Sequence, residues 1–169
     1  MSSMGNVTLR KVEPGDVDRI YGWVKNPWYV NEFAGRGVPT PETHHAYFEK
    51  VFASGDCYLA VEWDGEHVGC CGIKYIEGGH GEGWWYIGDE SMRGKGIGTA
   101  LIAALVEYAK KELGLTSMHA YVLETNIGCR RALEKNGFTL TPGEYGAHGD
   151  IPNVRYDLRF VDIGKCHAE

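Results

Sequence analysis

No stretch of the 169 residues approaches the roughly 18 consecutive apolar positions that a membrane-spanning helix requires. The opening Met1-Ser2-Ser3-Met4-Gly5-Asn6 also lacks the basic and apolar regions of a secretion signal, so a cytoplasmic protein with no membrane partner is expected. Cysteine is sparse and unpaired. Cys57, Cys70, Cys71, Cys129 and Cys166 make five, an odd number without a C-x-x-C spacing, which speaks against a disulfide framework and against a zinc site. The histidines are scattered as well (His44, His45, His67 and His119 among them), so no metal is expected. Basic residues are outnumbered, 17 against 23 acidic, giving a net charge of −6 that disfavours binding to nucleic-acid phosphates. That charge suits a cationic partner without demanding one. Repeats, low-complexity tracts and Pro/Ser-rich linkers are missing, and the 24 glycines are spread over turns. One domain spanning 1–169 is expected, its core at about 7–160 and a loose tail at 161–169.

What is present reads as alternating strands and helices. Val7 to Val12 is a strand, and Pro14 to Val24 a helix with Val17, Ile20, Tyr21 and Val24 along one face. A second helix opens at Thr40-Pro41-Glu42, a hydroxyl cap followed by proline at the first helical position and an early carboxylate. Tyr58 to Trp63 and His67 to Tyr75 are strands joined through Asp64-Gly65, a dipeptide suited to a tight hairpin. A fourth strand runs from about Glu82 to Gly88. Ile97, Leu101, Leu105, Tyr108 and Ala109 then form a helical stripe ended by Gly114. Thr116 to Leu123 is a strand, Asn126 to Asn136 a short helix, and Phe138 to Thr141 a short strand. Val154, Tyr156, Leu158 and Phe160 alternate with polar residues in the last one. This order predicts an α/β (α+β) domain: a mixed, mostly antiparallel sheet of six to seven strands with helices on both faces.

The segment Arg93-Gly94-Lys95-Gly96-Ile97-Gly98-Thr99 sits between the fourth strand and the long helix. Three glycines let the backbone turn tightly and bring N–H groups close to an anion, with the positive end of the helix behind them. No Ser or Thr follows Lys95, so it is not a P-loop, and the third glycine comes one residue early for the dinucleotide fingerprint. Taken alone, the glycines also fit a simple strand-to-helix turn, the lesser of the two readings.

Arg93-x-x-Gly96-x-Gly98 after a strand resembles the acyl-CoA motif of the GNAT superfamily of N-acetyltransferases, written there as Arg/Gln-x-x-Gly-x-Gly/Ala. A later segment agrees with it. Asn126-Ile127-Gly128-Cys129, followed by Leu133-Glu134-Lys135-Asn136-Gly137-Phe138, is similar to the family's helix that starts at Asn and ends in Glu-Lys-x-Gly-Phe. The resemblance covers roughly residues 7 to 160 and implies acetyl-CoA as co-substrate. It implies main-chain contacts from Ile87 and Gly88 to the pantetheine arm, and amides from Gly94 to Thr99 around the pyrophosphate. It further places Asn126 beside the pantetheine, with Arg93, Lys95 and Arg131 near the phosphates, Arg131 being equally readable as a solvated helix residue.

An alkyl ammonium has a pKa near 10, so about one molecule in a thousand is the free amine at neutral pH. Attack on a thioester therefore needs a base. Glu82, at the start of the fourth strand and eleven residues before Arg93, occupies the position where several family members carry a glutamate base; the plain alternative is a solvent-facing strand residue. On the leaving-group side, the family often has a Tyr five residues before the final Phe of the later segment. Here that residue is Leu133, so the general acid is sought at Tyr145, or at Tyr121. Cys129 reads as a buried, inert helix residue rather than a nucleophile, because no His or Asp partner is evident.

The acceptor should meet the aromatic-rich region between the first two helices. Trp-x-x-Asn-Pro (Trp23 to Pro27) with Thr40-Pro41-Glu42-Thr43-His44 resembles the branch of amino-sugar and ribosomal-protein acetyltransferases, and the family's aminoglycoside-modifying members share a tryptophan-rich fourth strand. Trp28, Tyr29 and Trp84 would supply stacking walls and Glu32 would draw the amine; these aromatics are equally at home in a core. A small-molecule amine acceptor is expected, with a protein N-terminal acetyltransferase and a non-catalytic acyl-CoA-binding module as alternatives. A homodimer is left open.

Overall fold

The computed structural model describes residues 3–4, 6–29 and 37–160. Strand β1 (Ser3–Met4) and β2 (Val7–Lys11) lead through a 3-10 turn, Pro14–Asp16, into helix α1 (Val17–Val24) and a single turn α2 (Pro27–Tyr29). Helix α3 (Pro41–Ser54) begins as its sequence predicts. The Thr40 hydroxyl accepts from the Thr43 N–H at 3.2 Å, proline follows, and Gly55 closes the helix in the left-handed conformation. Strands β3 (Cys57–Trp63), β4 (Glu66–Glu77) and β5 (His80–Ile87) precede α4 (Ile97–Lys111), and β6 (Ser117–Leu123) precedes α5 (Ile127–Lys135). Strands β7 (Thr139–Thr141), β8 (Ala147–His148) and β9 (Ile151–Arg159) complete the chain.

The sheet runs β1-β2-β3-β4-β5-β6-β9-β7, with β8 attached to β9. Every pairing is antiparallel except β5 with β6. The mixed, mostly antiparallel sheet is as expected, but it has more strands than the six to seven read from the sequence. The additions, β1 and β8, are two residues long and too short to show a period.

Alternation along the central strands divides the interior in two. Leu59, Val61, Cys71, Ile73, Met118 and Ala120 face α4 and α5 in the larger core, whereas Ala60, Cys70 and Tyr86 face α1 and α3 in the smaller one. The adjacent cysteines thus point to opposite faces. Both are fully buried, and burial pushes the Cys70 thiol up to about 12 and that of Cys71 well above the usual thiol range.

The parallel pairing of β5 and β6 is brief. It runs from His80↔Ser117 to Glu82↔His119. Beyond it, β5 stays on β4 as far as Ile87 and β6 stays on β9 as far as Leu123, so the two strands part like a wedge. The mouth of that wedge lies beside the start of α4.

Candidate active site

A cleft of about 750 Å³ occupies the wedge. One wall is β5, from Glu82 through Ile87; the opposite wall is Tyr121, Val122 and Leu123 of β6 with Asn126 and Cys129 of α5; the floor is the loop and first turn of α4.

At the floor, Gly94 and Gly96 adopt φ of 76° and 78°, which glycine alone takes without strain. A Cβ on either would meet nothing within 4 Å, so the backbone itself requires glycine there. The first bond within α4 runs from the Ala100 N–H to the Gly96 carbonyl. The N–H groups of Ile97, Gly98 and Thr99 therefore have no partner within the helix, and all three residues border the cleft. This donor set at the positive end of a 15-residue helix suits a pyrophosphate. Asn126 caps α5, its Oδ1 accepting from the Cys129 N–H at 3.2 Å, which leaves its amide nitrogen as the group it can offer to the cleft. Cys129 borders the cleft too, but burial pushes its thiol up to about 11, which keeps it a poor nucleophile at neutral pH.

At the apex of the wedge sits Glu82, its side chain 15% exposed. Lys74 Nζ lies 3.2 Å from Oε2, and His119 Nε2 lies 3.4 Å from Oε1. These groups belong to a polar row across four strands: Lys74 pairs in register with Glu82, Glu82 with His119, and His119 with Asp157. Asp157 is held in a fork by Arg155, with two contacts of 2.9 Å, and accepts from the Thr141 hydroxyl at 2.6 Å. Hydrogen bonds from Arg155 and Thr141 outweigh its burial and hold its carboxyl below the usual range.

Several expected site residues meet in this cleft: Glu82, Trp84, Ile87, Arg93, Gly94, Gly96, Ile97, Gly98, Thr99, Asn126 and Trp28. Arg93 does more than border it. Its guanidinium carbon lies 3.4 Å from the centre of the Trp28 ring, and its Nε donates to the Ile87 carbonyl at 3.3 Å. Five expected residues do not line the cleft, Arg131 of α5 among them. The Gly88 N–H is already given to the Val68 carbonyl at 2.8 Å, and Lys95 Nζ rests 4.0 Å from Met92 Sδ. Tyr29 packs into the smaller core against Tyr86, with ring centres 4.8 Å apart, and burial pushes its hydroxyl up to about 12. Tyr145 donates its hydroxyl to the Pro142 carbonyl of its own loop at 2.9 Å and packs against Tyr121, ring centres 5.6 Å apart. Tyr121 does line the cleft, and its hydroxyl accepts from Arg155 Nη1 at 3.4 Å, leaving its own proton to donate. Leu133 is fully buried in the larger core. Glu32 lies outside the described residues.

Lys74, His80, Arg155 and Asp157 were missed by the sequence reading. Their signal was alternation, since His80, Glu82 and Trp84 share a face of β5; the β5–β6 register that unites them spans a whole helix and cannot be counted along the chain.

Comparison with known proteins decides the family. Residues 6–139 match the family model of the acetyltransferase (GNAT) domain. The chain belongs to the GNAT acetyltransferase family. This acetyltransferase is 29% identical over 154 residues to aminoglycoside N(6')-acetyltransferase type 1 of Klebsiella pneumoniae, covering 81% of the chain and 76% of the relative. Among solved structures, the acetyltransferase is similar in fold to the spermidine N-acetyltransferase of Vibrio cholerae in complex with CoA and spermine. That match has a TM-score of 0.81 and 19% identity over 91% of this chain and 95% of that one. A second similar structure is an aminoglycoside acetyltransferase in complex with coenzyme A and kanamycin, with a TM-score of 0.76 and 23% identity over 90% and 94% of the two chains. It is thus an acetyl-CoA-dependent N-acetyltransferase, and no described helix is long and apolar enough to cross a membrane.

Proposed function

We propose that this acetyltransferase acetylates a primary amine of a small cationic molecule, an amino sugar or a polyamine, by direct attack within a ternary complex. The observation that carries the reading is the Glu82 carboxylate at the apex of the wedge, where a thioester seated along β5 and an amine entering from the aromatic side would meet. Acetyl-CoA supplies the acyl group. The glycine-loop amides hold its diphosphate, and Asn126 and Ile87 flank its arm. Trp28, Trp84 and Tyr121 form flat walls on which a sugar ring or an alkyl chain can stack. Glu82 takes the proton that leaves the ammonium, and Tyr121 can return one to the departing sulfur. The curated relative named for aminoglycosides and the structure holding spermine support a small polycationic acceptor.

The test is release of free CoA thiol from acetyl-CoA across kanamycin, ribostamycin, spermine, amino sugars and peptides with free N-termini. Stimulation by the first groups is expected; stimulation by peptides alone would overturn the small-molecule reading. With an accepted amine, Glu82→Gln should lower kcat/KM by about 100-fold at pH 7. The deficit should narrow toward pH 10, where the amine sheds its own proton. A deficit constant across that range removes Glu82 from the role of base.

A further inference from the structure

Two histidines left over by acetyl transfer are linked to its base. His80 stands two residues before Glu82 on one face of β5, and His119 is the register partner of Glu82 on β6. Their rings are within 9° of parallel, and His80 Nε2 is 2.6 Å from His119 Nδ1. On the outer side, His80 Nδ1 lies 2.7 Å from Ser117 Oγ; on the inner side, His119 Nε2 lies 3.4 Å from Glu82 Oε1. All four imidazole nitrogens thus stand in one line from the cleft to the half-buried Ser117. A neutral imidazole donates through one nitrogen and accepts through the other, so with a proton on Nδ1 of both rings the line runs from His119 to His80 to Ser117 and leaves His119 Nε2 open to a proton from Glu82.

We propose that His119 and His80 relay to Ser117 and water the proton that Glu82 takes from the amine. The proposal rests on the reading of Glu82 as base. An ammonium N–H bond breaks and an O–H bond forms at Glu82. That proton passes to His119 Nε2 while His119 Nδ1 gives its own to His80 Nε2. His80 Nδ1 gives its own to the Ser117 hydroxyl, which releases its original proton to water. Each imidazole gains one proton and loses one, ending neutral with its tautomer inverted, and exchange with water resets the pair. Burial first, and then the Arg155 cation, hold His119 below the ordinary imidazole range, so it stands uncharged and able to accept. The groups facing it are Glu82 and His80 on β5, Tyr121 on β6 and Arg155 and Asp157 on β9, with Lys74 of β4 beyond Glu82.

His80, His119 and Asp157 also bring ligand atoms within 4.8 Å of one another, as a metal set would. Two features favour the relay. Both Asp157 oxygens are already committed to Arg155. Two nitrogens bound tetrahedrally to one zinc at 2.0–2.1 Å stand roughly 3.3 Å apart, wider than the 2.6 Å observed.

Imidazole ¹⁵N shifts test the coupling without turnover. In Glu82→Gln, His80 should change tautomer together with His119 although it does not touch position 82; an unmoved His80 overturns the relay. The kinetic arm uses kanamycin and spermine. His80→Gln and His119→Gln should each lower kcat about tenfold with an unchanged KM for acetyl-CoA, and added imidazole should restore His119→Ala. Equal kcat in the His80→Gln enzyme overturns the relay, and His80→Gln carries the arm alone if the His119 variants fail to fold. If no amine is acetylated, the acceptor reading falls and the ¹⁵N result alone decides the relay. Zinc that shifts both imidazoles and raises kcat would overturn it in favour of a metal site.

Discussion

Gly98 separates two demands that coincide at its neighbours. Gly94 and Gly96 are fixed by their positive φ, so alanine there strains the loop by about 1–2 kcal/mol whatever it does to ligand binding. Gly98 lies inside α4 and borders the cleft, with nothing within 4 Å of an added Cβ. Gly98→Ala should therefore raise stability by about 1 kcal/mol through helix propensity, while its methyl group stands on the surface offered to the pyrophosphate. A melting temperature that rises together with the KM for acetyl-CoA is the expected pair; a higher melting temperature with an unchanged KM would move the diphosphate away from this turn. The two tyrosines divide in the same way. Tyr121→Phe should cost more in kcat than Tyr145→Phe, because the first hydroxyl lies on the cleft and the second serves its own loop. Equal losses in steady-state assays would remove Tyr121 from thiolate protonation.

At the scale of elements, what was legible in the sequence was whatever local geometry imposes. The Thr40-Pro41 start of α3, the Asp64-Gly65 hairpin and the glycine turn into α4 are each written in a few adjacent residues whose backbone needs are specific, and each formed as read. The site was half legible for the same reason. Its floor is one contiguous turn, whereas its apex is a row drawn from β4, β5, β6 and β9 by long-range register. Gly88 has a packing demand of its own that no local pattern in the sequence shows. The resemblance implies a main-chain contact to the arm there, and the packing leaves room for glycine alone: a Cβ would lie 2.1 Å from the Trp23 ring. Trp23 in turn packs edge-on against His67, ring centres 4.9 Å apart. Gly88→Ala should therefore destabilise the fold by about 1–3 kcal/mol through overpacking, with the KM for acetyl-CoA nearly unchanged in the folded fraction. Denaturant unfolding beside that KM checks it, and a large rise in KM without loss of stability would restore Gly88 to the binding surface.

For the molecule as a whole, groups that titrate join α3 to α1 and the start of α1 to β2, with a buried histidine of β4 beside them. His44 donates Nε2–H to the Val17 carbonyl at 2.9 Å, and His67 donates Nε2–H to the Gly69 carbonyl at 2.9 Å; burial holds both imidazoles below the ordinary range. Asp16 is gripped by Arg10 at 2.8 and 2.9 Å, and chiefly that bond lowers its carboxyl to about 2. The signs follow from which state binds more protons. A histidine whose folded pKa is lowered stays neutral in the native state while the unfolded chain protonates near 6.5, so its contribution is complete above that value and is lost as pH falls below it. Asp16 contributes above the unfolded value of 3.8 and loses its contribution as pH falls toward about 2, a loss of about 1–2 kcal/mol for so well-covered a carboxylate. Acid should therefore weaken the protein in two steps, one below pH 6.5 and one below pH 4. Urea midpoints measured at pH 7.5, 5.5 and 3 should fall at each stage, and Asp16→Asn should shrink the second while deepening the first, because it removes the carboxylate that faces His67 at 3.6 Å. A midpoint that holds level from pH 7.5 to 5.5 would mean that the two imidazoles accept their protons in the folded state, and that the joints between α1, α3 and the sheet open without unfolding the larger core.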